Sequence, residues 1–261
     1  MAPSASKTSI ARKKAIVYIT GESPLVEEYA ALGSAHGYDV VVQWNEDRKR
    51  DKEYRRSAIV PAGTSIALEL TNTDLERKKR NLQKLDKALP PTAAIISSSV
   101  TVSASEQATW IIHRHRLAGC CALPSFSAGT VIEVAPTVYT PVETMEVVRR
   151  FFTSLGKHCE FVEDRVGMVL PRVVCQIINE ACFALQEGVS TPAELDTAMK
   201  LGVNYPRGPI EWAEAIGIRQ VEAVLRALER DLGEDRYRVA PLLHQMALTG
   251  EWWNRNPREG S

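Results

Sequence analysis

Up to about residue 164, short apolar runs alternate with stretches of helical periodicity. Ala15 to Ile19 is an apolar run that ends near Gly21, which predicts a buried strand feeding a turn. Leu25 to His36 carries apolar residues at helical spacing and stops at Gly37, a C-terminal stop signal. Val40 to Val42 reads as the next strand, and the charged stretch Asn45 to Arg56 as a solvated helix or loop. Ser65 to Leu70 is a strand, and Asp74 to Leu89 is an amphipathic helix stopped by Pro90 and Pro91. Ala93 to Ser97, Leu117 to Ala122, Val131 to Val134 and His158 to Val162 read as further strands, with a helix over Val142 to Leu155 closed by Gly156. This alternation predicts a parallel sheet covered by helices on both faces.

After Asp164 the pattern changes. Val169 to Gly188 is one long apolar-rich helix, and Thr191-Pro192-Ala193-Glu194 starts another, with Thr as N-cap, Pro at the first helical position and Glu at the third. Helical patterns over Pro209 to Ile216, Arg219 to Leu232 and Val239 to Leu248 follow, without strand signals. The expected organisation is a polar, disordered tail over 1–12, an α/β domain over 13–164 and an all-α domain over 165–261.

Composition narrows the function classes. Hydrophobic residues make up 44%, enough for a core. The 32 basic residues balance the 32 acidic ones, so no long-range field argues for nucleic acid or an anionic membrane. No apolar run reaches the roughly 18 residues of a spanning helix. The start lacks the apolar segment of a secretory signal. Five scattered cysteines, with no CxxC pair and no His at metal spacing, suit a reducing cytoplasm and no metal site.

A strand, a glycine turn and a helix at the start of an α/β domain is where a dinucleotide would sit, on a G-x-G-x-x-G loop. Here the segment is Gly21-Glu22-Ser23-Pro24-Leu25-Val26, and Gly21 alone fits. Ser23 puts a side chain where phosphate should approach, and Val26 would push the helix from the strand. Glu22, Glu27 and Glu28 surround a helix end that should attract anions, while Ser23 and Pro24 read as an ordinary N-cap and first helical residue. Trp44 stands where an acid would hold the ribose, although Glu46 and Asp47 are near. A capped helix and an unusual NAD site are the two readings.

The second half carries longer motifs. Glu187-Gly188-Val189, then Asp196-Thr197-Ala198-Met199-Lys200-Leu201-Gly202, then Tyr205-Pro206-Arg207-Gly208-Pro209-Ile210-Glu211 resemble the C-terminal domain of the 3-hydroxyacyl-CoA dehydrogenases. Asp235-Arg236-Tyr237-Arg238 and Ala240-Pro241-Leu242-Leu243 continue the likeness, which extends more weakly back to Lys13. The resemblance implies a Rossmann-like N-terminal domain followed by an all-α dimerisation domain. It also implies oxidation of an acyl-CoA 3-hydroxyl by NAD, with a His base polarised by a Glu.

Compared position by position, the family's catalytic His falls on Cys121, within Gly119-Cys120-Cys121-Ala122-Leu123-Pro124-Ser125, while its Glu partner is kept as Glu133. In Ser98-Ser99-Val100-Thr101, Val100 replaces a substrate-binding Ser, and Pro171 replaces an Asn ahead of Arg172. Glu69 matches a glutamate near the family's active site. The segment between Trp44 and Ile66 is short where the family has a CoA-binding hairpin, and Trp252, Trp253 and Asn254 replace its usual ending. A thiol of pKa about 8.5, raised further by Glu133, makes a poor base, and losing the base alone typically costs about 10²–10⁴ in rate.

The implied function is therefore that of a catalytically impaired relative without NAD, a homodimer through its helical domain, with an acyl-CoA or protein ligand. The alternatives are an active NAD(P)-dependent dehydrogenase with rearranged ligands, for which His113 and His115 are candidate bases, and a purely structural dimeric scaffold. Arg48, Lys49, Arg50, Lys52, Arg55 and Arg56 offer charge for CoA phosphates, or simply a solvated face.

Overall fold

A computed structural model describes residues 14–46 and 54–250. The expectations for the 1–12 tail, for Asp47, for Arg48, Lys49, Arg50 and Lys52, and for Trp252, Trp253 and Asn254 lie outside the described residues.

The first strand, β1 (Ile16–Gly21), is followed by α1 (Leu25–Ala35), β2 (Asp39–Trp44), β3 (Arg55–Arg56) and β4 (Thr64–Leu70). Then come α2 (Leu75–Ala88), β5 (Ala94–Ser98), α3 (Ala104–Ala108), β6 (Leu117–Cys120), β7 (Val131–Pro136), α4 (Val142–Ser154) and β8 (His158–Phe161). The strands form one sheet in the order β3-β2-β1-β4-β5-β6-β7-β8. β1 pairs in parallel with both β2 and β4, so Tyr18 lies opposite Val41 and Ala67. Successive side chains point to opposite faces. Val17, Ile19, Val40 and Val42 enter one core, while Tyr18, Val41, Ala67 and Ile95 pack with Leu82 and Leu85 of α2 in another.

Two expectations need correction. The sheet is not wholly parallel, because β7 runs antiparallel to β6, with Gly119 opposite Ala135. The segment joining them is short and carries no α-helix. A parallel return needs a crossover of roughly a dozen residues or more, usually helical, so the chain doubles back instead. The charged stretch Asn45 to Arg56 is also not all loop or helix, since Arg55 and Arg56 pair with Val41 and Val42. Its end forms an edge strand, where exposed charge is tolerated. The short α3 carried no apolar periodicity; Asp164 accepts hydrogen bonds from the backbone of Ala104 and Ser105, both at 2.7 Å, and so holds its start.

The second part is helical among the described residues: α5 (Leu170–Gln186), α6 (Pro192–Gly202), α7 (Pro209–Ile216), α8 (Ile218–Leu232) and α9 (Pro241–Thr249). α5 is central and packs on α7, α8 and α9. Its buried Val174, Cys175, Ile178, Cys182 and Leu185 recur at helical spacing. Burial of each large side chain contributes about 1.5–3 kcal/mol. α6 has the expected capping box, in which Thr191 and Glu194 serve each other's backbone N–H.

The motifs that carry the family likeness have structural work here. Asp196 accepts from the backbone N–H of Ile210 at 2.8 Å and of Glu211 at 3.2 Å, capping α7. A Cβ on Gly208 would collide with the Asp196 carboxylate, so glycine is required there. Glu211 in turn binds Lys200 at 2.5 Å. These residues fix how α6 meets α7.

Candidate active site

In an open α/β sheet ligands settle beyond the carboxyl ends of the strands, where the strand order reverses. That reversal lies between β1 and β4. Gly21 ends β1 at φ +152°, and a Cβ there would meet the Leu70 carbonyl at 2.7 Å, so the tight turn needs its glycine. Ser23 is not the N-cap that its sequence suggests. Pro24 takes that position without a side-chain cap, and the Ser23 hydroxyl donates instead to Glu27 at 2.7 Å. Val26 is fully buried in the core shared by α1 and the sheet.

Glu22 is the residue that sequence reasoning underestimated. Read only as one of three carboxylates around the start of α1, it is 5% exposed. Its carboxylate accepts from the Asn72 backbone N–H at 3.0 Å, from the Thr73 backbone at 3.3 Å and hydroxyl at 2.6 Å, and from the Gln220 amide at 2.5 Å. Gln220 belongs to α8 and also accepts from the Asn72 amide at 3.0 Å. Asn72 in turn accepts from Ser98 at 2.6 Å. Nothing local in the sequence signals contacts that span 198 positions.

Glu69, at the end of β4, is fully buried with Lys78 at 2.5 Å. The Thr71 hydroxyl at 2.5 Å and the Asn81 amide at 3.0 Å also donate to it, as do the Thr71 backbone N–H at 3.3 Å and the Ser97 hydroxyl at 3.4 Å, so the carboxylate is engaged on the inside of the protein. Trp44 is 4% exposed, with the Arg56 guanidinium 5.0 Å above its ring. Beside it, a cavity of about 510 Å³ is lined by Trp44, Asn45, Glu46, Arg56, Ser57 and Arg77, among others.

Cys121 immediately follows β6 and is 4% exposed. Burial, followed by the charge of Glu133, pushes its thiol well above the usual range. Its backbone N–H donates to the Glu133 carbonyl at 2.9 Å. The Glu133 carboxylate accepts from the backbone N–H groups of Val169 at 2.9 Å and Leu170 at 2.8 Å, at the start of α5. Pro171 is buried in that same first turn. Val100 is fully buried and its carbonyl accepts from Gly167 at 3.1 Å. Thus Cys121, Glu133 and Pro171 gather at the head of α5, whereas Gly21, Val26, Trp44 and Glu69 belong to β1, α1, β2 and β4, and Ser23 to the turn between β1 and α1. His113 and His115 precede β6, at the opposite end of that strand from Cys121, and His113 binds Asp86 at 3.1 Å.

Two family models account for most of the chain. The 3-hydroxyacyl-CoA dehydrogenase NAD binding domain matches residues 29–165, beginning past the Gly21–Val26 turn, and the 3-hydroxyacyl-CoA dehydrogenase C-terminal domain matches residues 167–260. The 3-hydroxyadipyl-CoA dehydrogenase of Escherichia coli (strain K12) is 40% identical over 121 residues, 46% of this chain, which spans about a quarter (26%) of that longer protein. The 3-hydroxybutyryl-CoA dehydrogenase of Bradyrhizobium diazoefficiens is 28% identical over 199 residues, 76% of this chain and 68% of that one. The structure of (S)-3-hydroxybutyryl-CoA dehydrogenase from Ralstonia eutropha shares the fold, with a TM-score of 0.74 at 24% identity, over 90% of this chain and 94% of that one. With a Rossmann-like domain and a helical domain each matched along nearly its whole length, the chain belongs to the 3-hydroxyacyl-CoA dehydrogenase family.

Proposed function

We propose that this chain is a family member that has lost hydride transfer and acts by binding an acyl-CoA thioester or a partner protein of acyl-CoA metabolism. The observation that carries the reading is the pair at the family's base position. Cys121 is a buried thiol held protonated, and Glu133, which would orient a His, spends both carboxylate oxygens on the start of α5. A protonated thiol accepts no proton from a hydroxyl near neutral pH. The NAD that the family's first domain implies does not fit the residues at β1 and α1: Ser23 and Val26 stand in the cradle, and the buried Glu22 carboxylate adds negative charge where the pyrophosphate would need donors.

The proposed protein has two domains, 13–164 and 165–261, and forms a homodimer through the helical one. Val169, Leu170 and Val173 at the head of α5 are each about half exposed, an apolar surface that suits a second copy. The proposed setting is a reducing cytoplasm, which suits five free thiols, with neither nucleic acid nor membrane as partner. Among the described residues no helix is long and apolar enough to cross a membrane. The names of the curated relatives support the second reading, an active NAD(P)-dependent dehydrogenase. Purified protein is assayed with L-3-hydroxyacyl-CoA and NAD or NADP, and titrated calorimetrically with acetoacetyl-CoA. The expected result is no turnover above background, with binding of the thioester. Turnover would establish the second reading, and silence from the thioester would leave protein contacts as the function.

A further inference from the structure

We propose that the Glu22 carboxylate is a built-in anion that fills the switch-point crevice and latches the Rossmann-like domain to the helical domain. Glu22 directly follows β1, and its backbone-donating partners Asn72 and Thr73 directly follow β4. The carboxylate therefore lies across the place where the strand order reverses, the general ligand position of such sheets. Its third partner, Gln220, comes from α8 and closes the crevice from the helical side.

The arrangement is specific for an anion. Four donors from two segments far apart in the chain converge on one carboxylate: the Asn72 and Thr73 backbone N–H groups, the Thr73 hydroxyl and the Gln220 amide. The Gln220 amide is held in one orientation, because its oxygen accepts from Asn72 while its nitrogen donates to Glu22. Asn72 is fixed by donating to the Ala122 carbonyl at 2.9 Å and accepting from Ser98. A buried carboxylate is stable only with such saturation, and each donor would be left unpaired without it. The chain thus supplies from its own backbone turn the negative charge that a ligand would otherwise bring. Any anionic ligand entering between β1 and β4 must first displace Glu22 from these donors.

This rests on the reading that the crevice is not built for a dinucleotide, and the test separates the two. Thermal melts of the full chain are compared for wild type, Glu22→Ala, Gln220→Ala and the double variant, with and without sodium formate, a carboxylate small enough to replace the lost group. Glu22→Ala should lower the melting temperature by about 5 °C or more. Formate should restore most of that loss in Glu22→Ala and leave wild type unchanged, and the double variant should lose clearly less than the sum of the singles. A Glu22→Ala protein that melts like wild type, strict additivity of the two singles, or formate without effect on Glu22→Ala would each overturn the latch. If Glu22→Ala does not fold, Gln220→Ala carries the test, since it keeps the carboxylate and removes its α8 partner. It should then melt below wild type, and equality would overturn the proposal. A separate arm adds millimolar NADH to wild type. Stabilisation there would sink the reading that the crevice excludes a dinucleotide, whatever the variants do.

Discussion

Cys121 and Glu133 are joined through their backbones, N–H to carbonyl at 2.9 Å, while the Glu133 carboxylate caps α5. Cys121 and Glu133, which we propose stand at the family's base and partner positions, are therefore neighbours without a side-chain dyad. Restoring the imidazole alone should not restore the reaction. In Cys121→His the ring must displace buried neighbours, its intended partner is already bonded to two backbone groups, and Glu22 still fills the switch-point crevice. We expect no NAD-linked oxidation of a 3-hydroxyacyl-CoA by Cys121→His above the wild-type background. A rise of about 10²-fold or more, the size of general-base help, would show that the missing imidazole was the sole defect.

Removing Glu133 tests what it does now. Two charge-assisted bonds to the first N–H groups of a 17-residue helix form a side-chain cap supplied from β7. Glu133→Ala should destabilise the protein by about 1–2 kcal/mol, or roughly 2–8 °C in melting temperature for a chain of this size. Glu133→Gln should lose less, because its amide oxygen still accepts one bond. Urea unfolding of both variants measures this, and a Glu133→Ala midpoint equal to wild type would remove the capping role.

Much of the fold was legible in the sequence because it depends on periodicity. Val40–Val42, Ser65–Leu70 and the long helix after Val169 all announced themselves by apolar spacing. The antiparallel β7 did not, since strand direction is set by the length of the connection and not by the strand's own residues. α3 is held by Asp164, 60 positions away, as well as by its own N-cap Ser103, whose Ser-x-x-Glu spacing with Glu106 is a local signal too short to stand out without apolar periodicity. For the proposed site, Ser23, Trp44, Val100, Cys121 and Pro171 could be picked out one by one as expected departures from the family pattern. The bonds that define the site, Glu22 to Gln220 and Glu133 to Leu170, join residues far apart in the chain. A carboxylate in a sequence carries no mark of which distant N–H it will meet.

Glu69 and Lys78 form an ion pair with both side chains wholly buried. Such a pair is strongly destabilising to break from one side, because the remaining charge has no solvent. Lys78→Met should cost about 3–5 kcal/mol. Glu69→Gln combined with Lys78→Met should recover a large part of that loss, since no charge remains and Thr71 and Asn81 still supply hydrogen-bond partners to the amide. Equilibrium unfolding of the two variants is the measurement. A double variant no more stable than Lys78→Met would mean that packing, and not the stranded carboxylate, sets the loss.

The thiols give the protein a pH limit on the alkaline side. Burial pushes Cys120 and Cys182 up to about 12, and Cys121 and Cys175 upward as well, from an ordinary value of about 9. Because these folded-state values lie above the unfolded ones, the folded protein keeps protons that the unfolded chain gives up. The corresponding stability is complete only well below the unfolded value and drains away as pH rises through it toward the folded values, at about 1.4 kcal/mol per thiol for each pH unit. Urea midpoints should therefore be nearly flat from about pH 7 to about pH 8 and fall steeply by about pH 10. The buried tyrosines Tyr18 and Tyr29, also raised by burial, add a decline in the same direction at higher pH. Ellman's reagent separates the thiols from them. At pH 8 the native protein should show almost no reaction within minutes, and all five cysteines should react once it is unfolded. Rapid labelling of a native thiol would mean that at least one of these side chains is reached by solvent, and that the alkaline loss has another source.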